Sequence, residues 1–165
     1  MLIDHILGNI NDEKFKNYPM DIVNIEWYDS KKKIHRLTSH KGRDVAVRLS
    51  DKEQQRGLWY GDVLAVADDS DAIVVEIIPS KCLTVSCHSK LEIITLCYET
   101  GNRHAPFYYL PDNEEFIIPY DHPFEELLKK LHISFVIENR RLDNHWRIGG
   151  STVHNHHHTA ETTNE

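Results

Sequence analysis

The run His154-Asn155-His156-His157-His158 is the densest gathering of metal-ligand side chains in a chain that holds 12 histidines, five of them within its last 23 residues. Neutral imidazole is a borderline donor that suits Ni, Cu, Zn and Fe, and several on one polar segment can wrap an ion without a preformed cavity. A purification tag is the competing explanation. The run is interrupted by Asn155 and followed by seven further residues, unlike an unbroken hexamer at an extreme terminus, so it reads as native. His145 is a further candidate on the same segment, and the run by itself does not choose the metal. A second signal is Gly101-Asn102-Arg103-His104. One histidine beside a helix C-terminus is in itself a surface residue favoured by the helix dipole. A metal takes four to six donors, however, and two chains paired about a two-fold axis near this point would contribute His104 twice, with the tail supplying the rest.

Other candidates are weaker. Cys82, Cys87 and His88 form a C-x₄-C-H string, but an odd separation along a strand puts the two thiols on opposite faces, so both read as buried structural cysteines. Cys97 reads as core on a helix. His122 falls at a helix N-cap, His132 at a helix end, and His5, His35, His40 and His88 read as ordinary exposed or partly buried residues. Three cysteines at wide spacing argue for reduced thiols.

The elements that must position these groups divide into two halves. Up to residue 79 the chain reads as a small all-β, partner-docking domain of short strands at residues 5–8, 22–28, 44–49, 58–66 and 72–78, with period-two alternation in Val45-Ala46-Val47-Arg48-Leu49. Lys31-Lys32-Lys33 fits a solvated hairpin tip. Residues 80–142 read differently. A strand over 82–87 leads into Ser89 and Glu92, a capping-box pair that opens a helix over 90–100, with Leu91, Ile94 and Tyr98 as its apolar stripe and Gly101 as its left-handed cap. Strands at 107–110 and 115–120 flank the turn Pro111-Asp112-Asn113-Glu114. A helix with Pro123 in its first turn and the stripe Phe124, Leu127, Leu128, Leu131 follows, then a strand over 133–137. The order βαββαβ is that of a ferredoxin-like unit with a four-stranded antiparallel sheet, and the fold class is α+β. Residues 143–165 show no apolar periodicity and read as a flexible, disordered His-rich tail.

Charge narrows the function. Of the formal net charge of −7, residues 91–165 contribute most, with 12 acidic and 6 basic side chains, so a nucleic-acid partner is not expected. No stretch approaches the roughly 20 apolar residues of a membrane span and no signal peptide opens the chain, which points to a cytoplasmic protein with no membrane partner. A metal-dependent hydrolase would need three fixed ligands and an open position, and H-E-x-x-H, G-x-S-x-G and glycine-rich phosphate loops are all absent. The chain therefore reads as a metal-binding protein and not an enzyme. A passive store or sensor for Ni, Zn or Cu is the alternative that these residues leave open.

The string Gly101-Asn102-Arg103-His104, preceded by a helix carrying Cys97-Tyr98 and followed by a hairpin, resembles the signature of the UreE family of urease accessory nickel chaperones. Leu58-Trp59-Tyr60-Gly61-Asp62-Val63-Leu64 in the first half, the βαββαβ order and the histidine-bearing tail extend the resemblance over essentially the whole chain. It implies a homodimer joined through the second domain, with His104 of each protomer beside the two-fold axis in a shared Ni(2+) site. It also implies tail ligands from His154, His156, His157 and His158, with His145 as another, and Zn(2+) or Cu(2+) binding in vitro. The partners it implies are the accessory GTPase UreG and the apo-urease assembly complex. Some members carry further histidines on the strand after the hairpin, where this chain has Ile118 and Tyr120.

Overall fold

Alternation of buried and exposed side chains builds the first half into two facing sheets. The computed structural model describes residues 1–67 and 70–149. Strands β1 (Leu2–Ile3), β2 (Gly8–Asn9), β3 (Met20–Ile25), β4 (Ile34–Thr38) and β5 (Asp44–Arg48) precede a short helix α1 (Asp51–Arg56), followed by β6 (Asp62–Ala67) and β7 (Asp71–Ile77). One sheet has the order β1-β5-β4 and the other β2-β6-β7-β3. Val45 and Val47 of β5 project with Ile3 into a core shared with Val23, Ile25, Ile73, Val75 and Ile77 of the second sheet. The outer face of that second sheet is covered by Phe15, from a 3-10 turn, which packs on Val63, Ala72 and Val74.

This half differs from a purely β unit through α1. Its N-terminus is a full capping box: the Ser50 hydroxyl accepts from Glu53 N–H, and the Glu53 carboxylate accepts from Ser50 N–H. The strand expected at 5–8 is instead the two short strands β1 and β2. Lys31-Lys32-Lys33 is not a hairpin tip, because β3 pairs with β7 and β4 with β5, so the connection between β3 and β4 crosses from one sheet to the other.

His35 is buried, beyond what the sequence suggested, with its Nε2 2.9 Å from the Lys32 carbonyl oxygen. Burial pushes its pKa below the ordinary imidazole value. In the unfolded chain a histidine titrates near ~6.5, so below that pH the unfolded state takes up a proton that the folded state resists, and stability falls as pH drops toward the folded-state pKa. Melting curves between pH 7.5 and 5 are expected to show this decline, and His35→Gln to flatten it; equal slopes would remove His35 as the cause.

The second half contains β8 (Ser80–Ser86), α2 (Lys90–Asn102), β9 (Phe107–Leu110), β10 (Glu115–Pro119), α3 (His122–Lys130), β11 (Ser134–Arg140) and β12 (Arg147–Ile148). They make an antiparallel sheet of order β11-β8-β10-β9-β12. The sheet has five strands, not four, because the segment after Leu142 returns to pair with β9. Leu83 and Val85 of β8 join Phe116 and Ile118 of β10 under Leu96 of α2 and Phe124 and Leu128 of α3. The opposite face carries Cys82, Tyr108 and Ile117, covered by Leu142 and by Trp27 from the first half. The two architectures together are α+β.

Several local expectations need correction. Ser89 caps α2 by accepting from Glu92 N–H, but the Glu92 carboxylate takes the N–H of His88, one residue earlier than a closed box requires. The N-cap of α3 is Asp121, which accepts from Phe124 N–H, and this makes His122 the first helical residue. Cys97 is exposed and Cys87 half-buried; of the three thiols only Cys82 is fully buried.

Candidate metal centre

Helix α2 ends in a way that sets the conformation of His104. Its buried face is Leu96 and Thr100. The helix continues through Gly101, whose missing side chain would meet nothing within 4 Å, and it closes on Arg103. His104 then takes the left-handed conformation, φ 51°. Its N–H donates to the Gly101 carbonyl at 3.0 Å, and the Ala105 N–H donates to the Thr100 carbonyl at 3.2 Å. This pair of bonds is a Schellman motif with His104 in the position that usually falls to glycine. The expected glycine cap is thus corrected by three residues. Helix α3 ends identically at His132, φ 56°, with Ile133 N–H on the Leu128 carbonyl. Arg103 pairs with the Glu99 carboxylate one turn back and lies 5.8 Å from the Phe124 ring centroid, which ties the last turn of α2 to α3. The His104 side chain is exposed.

The apolar stripe of α2 does not face the core. Leu91 is 73% exposed, Ile94 65% and Tyr98 66%. They recur at helical spacing on one face that runs toward the end where His104 sits. The apolar period marks this helix face, and the described chain leaves it open.

Strand β12 brings the chain back to the same end. It runs antiparallel to β9, with Arg147 opposite Tyr108 and Ile148 opposite Phe107. Phe107 is three residues after His104, so the chain leaves Ile148 heading along β9 toward that histidine. From Ile148 to His154 is six residues, a reach of roughly 20 Å at ~3.3 Å each. His154, His156, His157 and His158 themselves lie outside the described residues.

His145 is placed elsewhere. Residues 141–148 form a strap, not the start of a loose tail: Leu142 and Asn144 are buried, and Asn144–Trp146 is a 3-10 turn. Asp143 accepts the Tyr60 N–H at 2.9 Å and the His145 N–H at 3.0 Å, Asn144 donates through Nδ2 to the Ser30 hydroxyl, and Arg141 pairs with Glu76 at 2.8 Å. The bonds to Tyr60, Ser30 and Glu76 fasten the second half to the first. Gly57 permits the approach: at φ 79° it has no side chain to strike Asn144 Nδ2, which lies 3.0 Å from where a Cβ would stand. The His145 ring stands edge-on to two indoles, 4.6 Å from Trp59 and 4.5 Å from Trp146. Its surroundings are aromatic, in a cleft between the halves, and this corrects its reading as part of a free ligand-bearing tail.

Among the described residues no three His, Cys, Asp or Glu side chains gather as a ligand set. Also among them, no helix is long and apolar enough to cross a membrane.

Comparison with known proteins covers both halves. The family model described as UreE urease accessory protein, N-terminal domain, matches residues 3–77, and the one described as the C-terminal domain matches residues 80–165. The urease accessory protein UreE of Helicobacter acinonychis (strain Sheeba) is 34% identical over 155 residues, 94% of this chain and 90% of that protein. The protein of the same name from Helicobacter pylori (strain Shi470) is 34% identical over 154 residues, 93% and 89% of the two chains, and that from Helicobacter bizzozeronii is 34% identical over 154 residues, 93% and 86%.

Proposed function

The chain belongs to the UreE family of urease accessory proteins, and from that premise we propose that it binds Ni(2+) at a site shared between two copies and delivers it for urease maturation. It is an accessory protein of urease assembly and not an enzyme. Nickel is its cargo. The observation that carries the reading is an uncovered apolar helix face that runs along α2 toward His104, at the end of the second half to which strand β12 also returns.

His104 alone is one donor, and the described part of the chain offers no set to complete it. A second copy packed through Leu91, Ile94 and Tyr98 would add a second imidazole across the two-fold axis. Tail histidines on the segment that β12 directs toward His104 would fill further positions. Such a site releases its ion stepwise: the tail ligands leave singly while their tether keeps local concentration high. The apo-urease assembly and the GTPase UreG are the partners to which that release is directed. The site acts in the cytoplasm, and Zn(2+) and Cu(2+) compete for the same imidazoles in vitro.

The domain reading follows the same lines. We take residues 1–79 as a docking domain and 80–142 as a ferredoxin-like dimerisation domain, a reading supported by the antiparallel order β11-β8-β10-β9 with both helices in one apolar cluster. The strap adds β12 to that domain as the partner of β9.

Calorimetric titration of nickel into the full chain tests the stoichiometry. One tight ion per two chains is expected, followed by weaker ions, with the affinity falling steeply below about pH 6 as imidazoles protonate. Truncation after Ser151 should keep the tight event and remove mainly the weak ones. A tight event of one ion per single chain, or none, would overturn the shared site.

A further inference from the structure

A cleft opens between the two halves. It is about 400 Å³, and its walls come from both sides: Trp59 and Tyr60 from the turn before β6, Asp143 and Trp146 from the strap. Two arginines of the chain already show how this wall is used. Arg56 lies with its guanidinium 3.7 Å over the Trp59 ring while its nitrogens bind the two oxygens of the Asp62 carboxylate at 2.6 and 2.8 Å. Arg141 lies 3.7 Å over Tyr60 and is held by Glu76. In each case an aromatic face and a carboxylate act together on one planar cation, the combination that suits arginine better than lysine.

A further aromatic and a further carboxylate, Trp146 and Asp143, line the cleft itself. Trp146 is 37% exposed, and Asp143 lines the cleft beside it. Asp143 accepts two backbone N–H bonds, one on each oxygen, and among the described residues it forms no ion pair. A carboxylate accepts about four hydrogen bonds, so it retains capacity toward the cleft. Asn9 and Asn11 also line the cleft, where the Asn9 amide donates to the Tyr60 carbonyl and accepts from the Asn11 backbone and side chain.

We propose that this cleft is a docking site for an arginine presented by a partner protein segment, with its guanidinium stacked on Trp146 and hydrogen-bonded to Asp143. Charge complementarity favours this occupant over an anionic one: the Arg56 charge is already met by Asp62, and the whole chain carries −7. The proposal is independent of the nickel reading, because the cleft uses neither His104 nor the tail.

The chain's three tryptophans make the test local, since Trp27 packs in the two apolar clusters away from the cleft lining. N-acetylarginine N-methylamide is titrated into the full-length protein while the three indole N–H resonances are followed by NMR. Saturable shifts of Trp59 and Trp146 are expected, with Trp27 unmoved. The isosteric, uncharged citrulline derivative should bind at least fivefold more weakly, and Trp146→Ala should weaken arginine binding by a similar factor. His104→Ala should leave the titration unchanged, and Trp146→Ala should leave tight nickel binding unchanged, which separates this site from the metal site. Shifts linear to 50 mM, shifts shared equally by Trp27, or equal response to citrulline would each overturn the assignment.

Discussion

Replacing His104 with glycine is expected to abolish tight nickel binding, weakening it at least 100-fold, while leaving the protein as stable as the wild type or more so. The two effects come from different atoms of one residue. In the proposed shared site the imidazole is the donor, and its loss from both copies would remove two ligands of the ion together. The backbone, at φ 51°, is in a region that costs a side-chain-bearing residue roughly 1–2 kcal/mol and costs glycine nothing comparable. The two Schellman bonds, from His104 N–H and Ala105 N–H, are made by the main chain and survive the change. Relief of about 1 kcal/mol would raise the melting temperature by about 2–4 °C for a chain of this size. His104→Ala makes the contrast sharper, because alanine loses the ligand and keeps most of the strain. The control is His132→Gly, in the same motif at the end of α3: it should give a similar stabilisation with no change in the nickel isotherm. A folded, dimeric His104→Gly protein with an unchanged tight isotherm would remove His104 from the site.

What could be read in the sequence was whatever rests on short-range rules. Pro123 and the stripe Phe124, Leu127, Leu128, Leu131 specify α3, and Pro111-Asp112-Asn113-Glu114 joins β9 to β10, because caps, turns and periodicity act within a few residues. Helix α1 was legible by the same Ser-x-x-Glu rule that marks α2, applied at Ser50 and Glu53. The cap of α2 departs from the expected glycine for a physical reason. Glycine is a weak signal when a histidine three residues on can take the left-handed position, and the choice is made by whether Ala105 can reach the Thr100 carbonyl, not by composition. Strand β12 has two residues and no periodicity of its own, so nothing local announces it. Its partner β9 and the burial of Leu142 and Asn144 decide it. For the same reason His145 looked like the first ligand of a tail, when its neighbours are Trp59, contributed from far along the chain, and Trp146.

The face of α2 shows most clearly what a single chain withholds, and it yields the second large effect. Leu91, Ile94 and Tyr98 follow the helical period as regularly as any core stripe, yet the core side of the helix is Leu96 and Thr100. Fully burying a large apolar side chain is worth about 1.5–3 kcal/mol, and the proposed two-fold pairing through this face would count each of the three twice. Ile94→Glu combined with Tyr98→Glu is therefore expected to raise the dimer dissociation constant by at least about a thousandfold, and sedimentation velocity at micromolar concentration should find monomers. Glutamate is a good helix former and both positions are exposed, outside the buried cluster, so far-ultraviolet circular dichroism should be unchanged. The tight nickel event should disappear with the dimer although His104 is untouched, because each half-site then holds a single imidazole from the body of the protein. Weak binding by the tail should persist. A monomeric variant that keeps the tight isotherm would mean that one chain completes the site alone; a variant that stays dimeric would mean that the copies meet on another face.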